Sequence, residues 1–238
     1  MDKSKEINGA ADRGQELLAI HVKNAHTRLS DFLDQYGTGL DVLGKAMGAF
    51  TKAVYDLPES AACASGCAWC CHLRVETSIP ELLVIYRELL TGSTPEGIAS
   101  LKKWTREAAS LGDLRDEDLW YQHKLPCPFL DNNKVCLIYP VRPFACRAHH
   151  SMDAALCQKG YEEGRRLMIP SLPLYRASTD IYSTIFIKVM AERGFASFPV
   201  GFIKGLAMLL EEPTLTEDWL NGKDVFSPAR IIKGDSRE

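Results

Sequence analysis

The sequence predicts a mainly α protein in which helices frame an irregular cysteine-rich metal core carrying one small β-hairpin. Three observations lead there. Apolar residues recur at helical spacing over most of the chain, one stretch at Pro128–Tyr139 has strand and turn character, and seven of the eight cysteines fall between Cys63 and Cys146. The 238 residues are read as a single domain, 1–238, with a cysteine-cluster core at 63–147 between helical segments at 11–57 and 153–221. A chain of this length buries about 70% of its unfolded surface, so it needs neither disulfides nor metal merely to hold a core.

From Arg13 to Tyr36, Leu17, Leu18, Ile20, Val22, Leu29, Phe32 and Leu33 form a helical stripe that ends at Gly37-Thr38-Gly39. A second helix is expected over Leu40–Leu57 with Val42, Leu43, Met47, Phe50 and Val54 inward, paired antiparallel with the first. Ser78-Ile79-Pro80-Glu81 has the form of a helix start, since serine caps, proline suits the first turn and glutamate three residues later completes a capping box. That helix runs to about Leu90 and stops at Gly92; Thr94-Pro95-Glu96 opens another, to about Leu111, followed by an acidic surface segment at Asp113–Asp118. Phe129-Leu130 and Val135–Tyr139 flank Asp131-Asn132-Asn133-Lys134, whose Asp and Asn tolerate left-handed turn geometry, so a hairpin is expected there. Pro140 and Pro143 then keep the chain irregular. Helices resume at Asp153–Gly164, Ser178–Arg193, Val200–Glu212 and Thr216–Asn221, and the polar tail from Ser227 is expected to fray.

Composition narrows the function. The net charge of −3 is spread over mixed signs with no basic run, which argues against a nucleic-acid partner. The opening MDKSKEINGAADRGQ lacks the apolar core of a signal peptide. The most apolar stretch, Ile181–Leu210, is interrupted by Lys188, Glu192, Arg193 and Lys204, so no run reaches the about 18 residues of a membrane span. A soluble cytoplasmic protein is expected, and in a reducing compartment clustered cysteines bind metal or react more often than they form disulfides. A secreted disulfide framework would call for a shorter, exported chain.

Cys63, Cys67, Cys70 and Cys71 fall in CASGCAWCC; Cys127, Cys136 and Cys146 follow in CPFLDNNKVCLIYPVRPFAC. A lone cysteine is usually a small buried apolar residue, a description that suits Cys157. It does not suit four in nine residues with two adjacent. Thiolates are soft donors that favour zinc, copper(I) and iron–sulfur clusters. Gly66 and the small Ala64, Ser65 and Ala68 let the backbone wrap closely, and amides in that loop can donate to sulfur. Arg142 and Arg147 flank Cys146 and can offset the net negative charge of a four-thiolate centre. Adjacent side chains rarely reach one ion without strain, so Cys70 and Cys71 point to a spare thiol, a cluster or a two-metal site.

These residues resemble a family. Cys63-x3-Cys67-x2-Cys70-Cys71 followed by Cys127-Pro128-Phe129-Leu130, Cys136 and Ile138-Tyr139-Pro140-Val141-Arg142-Pro143-Phe144-Ala145-Cys146-Arg147 is similar to the bacterial YkgJ-type cysteine-cluster proteins, described as zinc- or iron-chelating. The resemblance covers about Cys63 to Arg147 and implies Cys63, Cys67, Cys70, Cys71, Cys127, Cys136 and Cys146 as metal ligands; Cys157 stands outside it. Some flagellin lysine methylases contain a similar domain in which an iron–sulfur cluster is implicated. The resemblance therefore implies an iron–sulfur cluster, 4Fe-4S, with zinc or iron ions as alternatives and redox chemistry or metal handling as the role.

Other readings are weaker. Cys63-x3-Cys67-x2-Cys70 with Trp69 also has the spacing of the radical S-adenosylmethionine motif, but the barrel of alternating strands and helices that motif requires is not predicted. A protein-lysine methyltransferase would need a cofactor site, and no glycine-rich loop follows a strand. A closed structural zinc scaffold also fits the thiols. His149 is the preferred substitute ligand should one cysteine be free, while His72, His150, Trp69 and Tyr139 are expected to support the site. No paired carboxylates, phosphate loop or serine–histidine–aspartate order stands out, so catalysis would rest on the metal alone.

Overall fold

The computed structural model describes residues 3–54, 59–110 and 123–231, with residues 3–11 as helix backbone alone. The expected acidic segment Asp113–Asp118 lies outside the described residues. In chain order the helices are α1 (Lys3–Tyr36), α2 (Leu40–Ala53), α3 (Ile79–Gly92), α4 (Pro95–Ser110), α5 (Phe144–Ala148), α6 (Ala154–Glu163), α7 (Pro173–Glu192), α8 (Phe202–Glu211) and α9 (Leu215–Leu220). Short strands β1 (Glu76–Thr77) and β2 (Val200–Gly201) pair antiparallel, Glu76 opposite Gly201 and Thr77 opposite Val200. The mainly α class predicted from the sequence is the observed one.

Helix α3 is the axis of the core. Its start is the capping box read from the sequence: the Ser78 N–H donates to Glu81 Oε2 at 3.0 Å, and the Glu81 N–H to Ser78 Oγ at 3.3 Å. Residues 79–86 and Leu89 are all buried, the all-round burial of a helix enclosed by others. Helix α2 packs on one side of it through Leu43, Met47 and Phe50, and α8 on another through Leu206 and Leu209. Gly205 sets the distance of α8, because a Cβ there would stand 2.5 Å from Leu82 Cδ2 in the closed core. Gly205→Ala should therefore cost about 1–3 kcal/mol through overpacking, read as a lower denaturation midpoint at unchanged helix content.

The expected α1–α2 antiparallel pair is not the main contact of α1, whose principal partner is α7. Ala25, Leu29 and Leu33 form the buried stripe, whereas Leu17 and Ile20 point outward. His26 Nε2 lies 2.8 Å from Glu192 Oε2, and Arg193 Nη2 donates to the Ser30 carbonyl at 2.9 Å. Phe50 of α2 reaches the same helix, stacking on Tyr182 with ring centroids 4.4 Å apart. Helix periodicity marks which residues face inward but carries no record of which neighbour they meet.

The stretch Pro128–Tyr139 closes as a minimal hairpin on one antiparallel bridge, between Leu130 and Cys136, rather than as a strand ladder. Asp131 is its organiser: Oδ1 accepts from the N–H groups of Asn133 and Val135 at 2.9 and 2.7 Å, and Lys134 takes a left-handed φ of 60°. The paired strands β1 and β2 instead join segments far apart in sequence. The tail is also ordered further than expected: Phe226 and Ala229 are buried, Arg230 bridges Val200, and the Ile231 N–H donates to the Pro199 carbonyl at 2.9 Å. Helix α6 follows its sequence signals closely, capped by Asp153 Oδ1 on the N–H groups of Ala155 and Leu156 and ended by Gly164 at φ 63°.

Candidate metal centre

Two cysteine segments distant in sequence are joined by backbone. The Cys127 N–H donates to the Cys71 carbonyl at 2.7 Å, which sets the 127–146 segment against the first loop. In that loop Gly66 holds φ +86°, a left-handed conformation that favours glycine, and the Asn133 carbonyl lies in ordinary contact range of it. The loop then tightens into a 3-10 turn, Trp69–His72, which carries Cys70 and Cys71. Cys146 rides on α5, whose first turn is fixed by the Phe144 N–H donating to Glu81 Oε1 at 2.9 Å.

All eight cysteines are free and partly buried. Cys71, Cys127, Cys136 and Cys146 form one group, in which every pair is close enough to repel when ionised. Cys70 sits beside it, its thiol hydrogen-bonded to that of Cys71 and within the field of Cys146 and Cys63. These five line one shared cavity. Cys63 and Cys67 are not among the residues lining that cavity, and they share their surroundings with Cys157. Ser151 is the hub there: its carbonyl lies 3.9 Å from Cys63 Sγ and its hydroxyl hydrogen-bonds the Cys157 thiol. The sequence set Cys157 apart; α6 brings it against the first loop, with Tyr161 of the same helix 5.3 Å from the Trp69 ring. Among the described residues, no three histidine, cysteine, aspartate or glutamate side chains are drawn together as a finished ion cage.

Burial keeps most of these thiols protonated. Burial pushes Cys127 up to about 12 and raises Cys136 and Cys146 as well. Cys70 is raised by donating to Cys71, and Cys71 is correspondingly lowered to about 7, with Arg142 adding to the effect. Backbone N–H groups two residues on, at Phe129 and Ile138, donate to the sulfurs of Cys127 and Cys136 and favour their thiolates. Amide donors to sulfur were expected in the first loop; these lie in the second segment.

Two arginines attend the group. Arg142 stacks on the Tyr139 ring at 4.1 Å and its field reaches Cys71, Cys136 and Cys146. Arg147 is only 1% exposed; its Nη2 donates to the Tyr139 and Pro140 carbonyls at 3.0 and 2.6 Å, while Nε and Nη1 are buried without a hydrogen-bond partner. Among the described residues no carboxylate pairs with Arg147.

The histidines divide. His150 is engaged on both nitrogens, with Nδ1 3.0 Å from the Ala148 carbonyl and Nε2 accepting from the Leu172 N–H at 2.8 Å, so it braces the backbone. His72 faces the Lys124 carbonyl through Nδ1 and packs on Tyr161. His149 lines the cavity, and burial with the fields of Arg176, His150 and Arg166 lowers it to about 4, leaving a neutral imidazole at physiological pH. Arg166, Arg176, Thr77 and Ser183 also line this space. They escape notice in the sequence: a polar residue on a helix, in a short strand or in a loop looks the same whether it meets solvent or a cavity.

Residues 62–166 match the CxxCxxCC family model, described as a "putative zinc- or iron-chelating domain". The matched segment takes in Cys157 as well as the seven earlier cysteines. No curated protein and no solved structure matches the chain. No helix among the described residues is long and apolar enough to cross a membrane.

Proposed function

We propose that this chain, whose residues 62–166 belong to the CxxCxxCC cysteine-cluster family, holds an iron–sulfur cluster on its thiolates and uses it for electron transfer or metal handling. The observation that carries the metal-centre part of the reading is Arg147. A guanidinium buried without a carboxylate and with two nitrogens unpaired is costly, unless negative charge develops beside it. Four thiolates around a 2+ cluster or a zinc ion leave a charge of about −2, a counter-charge that Arg147 and Arg142 together match. Cys71, Cys127, Cys136 and Cys146 are the ligands assigned to the first centre. Cys63, Cys67 and Cys70 remain for further coordination, which suits a cluster or a second metal better than one closed tetrahedron.

The N–H donors on Cys127 and Cys136 favour thiolate ligation by zinc as much as by iron, so a structural zinc scaffold is the second reading. Metal analysis of protein purified without oxygen separates the two. Brown protein with iron and acid-labile sulfide is expected; colourless protein holding zinc alone would reject the cluster. Cys136→Ser and Cys67→Ser should each lower the metal content, and unchanged stoichiometry in both would refute the ligand assignment.

A further inference from the structure

A cavity of about 360 Å³ opens beside the thiols, at the lower end of the size range that holds small molecules. The thiols line one side, and Trp104 of α4, Ile187 of α7 and Phe202 of α8 supply apolar wall. The charged lining is biased: Arg74, Arg142, Arg166 and Arg176 stand against Glu76 and Asp180. Three lining groups able to donate a hydrogen bond, Arg142 Nε, Thr77 Oγ1 and Ser183 Oγ, are buried without a partner among the described residues.

We propose that this cavity is a binding site for a small organic anion, bearing a carboxylate or a phosphate, held next to the metal centre. Buried donors left unpaired cost free energy that an acceptor-rich ligand recovers. Guanidinium groups are suited to both anions because their donors form a planar fork. The basic groups acting on the thiols are Arg142 and Arg147, whereas Arg166 and Arg176 act on His149. Arg166, Arg176 and Asp180 are exposed, Arg142 and Ser183 are half-buried and Thr77 is buried, so an anionic head enters past the exposed arginines toward the buried donors and an apolar body rests on Trp104 and Phe202. The site goes beyond metal holding: it gives the centre a bound molecule to act on or respond to.

The test is calorimetric titration of full-length, metal-replete protein with three probes of similar shape: benzoate, phenyl phosphate and benzyl alcohol. The two anions should bind and the alcohol should not, and the tighter anion assigns the head group. In the Arg166→Gln/Arg176→Gln double variant the preferred anion should bind at least tenfold more weakly at unchanged metal content and melting temperature. Ser183→Ala, a smaller change, should weaken it a few-fold. Equal binding of benzyl alcohol, no binding of either anion at millimolar concentration, unchanged affinity in the double variant, or loss of metal in step with loss of affinity would each overturn the proposal. Metal is assayed on the same samples, so a failure of the metal reading shows separately, as protein without metal whatever the probes do.

Discussion

Glu81→Leu is expected to destabilise the protein by about 3–5 kcal/mol and to lower its metal loading as well. The Glu81 side chain is fully buried and accepts from three donors: the Ser78 N–H at 3.0 Å, Ser78 Oγ at 2.6 Å and the Phe144 N–H at 2.9 Å. Leucine fills similar space but accepts nothing, so three buried donors lose their partner at about 1–3 kcal/mol each before relaxation. Two of them belong to the cap of α3 and would cost about as much as an ordinary lost cap. The third begins α5, and Cys146 lies two residues beyond it on the same helix. Loosening that turn frees a thiol that must converge with Cys71, Cys127 and Cys136, so the defect spreads from folding to coordination. Ser78→Ala should show the smaller loss, about 1 kcal/mol, with metal content intact. Urea denaturation of the metal-free proteins and metal assay of the loaded ones check both. A midpoint unchanged by Glu81→Leu would show that the Phe144 contact does not carry the load assigned to it.

Glu81 also shows how far the sequence can be read. Its role in the cap was legible, because a capping box is a local pattern within four residues. Its hold on Phe144 was not, since that contact spans 63 residues and leaves no local trace. The same division runs through the molecule. The ends of α6 were announced by Asp153 and Gly164, yet that α6 would lay Cys157 against Cys63 and Cys67 was not. The turn chemistry of Asp131-Asn132-Asn133-Lys134 was legible: the segment closes as a minimal hairpin on one antiparallel bridge, Leu130 to Cys136, while the longer strand pair forms between Glu76–Thr77 and Val200–Gly201. Two-residue strands carry no alternation to detect. The thiols themselves were conspicuous because four in nine residues are hard to explain by packing alone. Arg142 and Arg147 could be picked out only by nearness to Cys146; the burial of Arg147, on which the charge argument turns, is a property of the fold.

Above about pH 9, metal-free protein should lose stability as pH rises where metal-loaded protein does not. In the metal-free state burial raises Cys127 from 9.0 to about 12, raises Cys136 and Cys146, and the contact with Cys71 raises Cys70. A raised thiol keeps its proton in the fold at a pH where the unfolded chain has lost it. The unfolded state then binds fewer protons than the native one, and stability falls as pH rises. The contribution is fully present below about pH 9 and is lost towards pH 12, on the order of 4 kcal/mol for Cys127 alone. Cys71, lowered to about 7, runs the other way: its contribution is present above about 9 and lost as pH falls towards 7. Cys71 acts between about pH 7 and 9 and the raised thiols above about pH 9, so the metal-free fold gains stability up to about pH 9 and loses it beyond. Bound metal removes the alkaline loss and makes acid destabilising, because ligation requires the thiolates and protons compete for them. Loading Cys71, Cys127, Cys136 and Cys146 near pH 7 should release about three to four protons, since the raised thiols still hold theirs and Cys71 is partly ionised. Proton release on adding zinc to weakly buffered, metal-free protein measures the first quantity, and melting temperatures from pH 5 to 11 with and without metal measure the second. Release of fewer than two protons, or two melting profiles that run parallel, would show that these buried thiols are not the ligands.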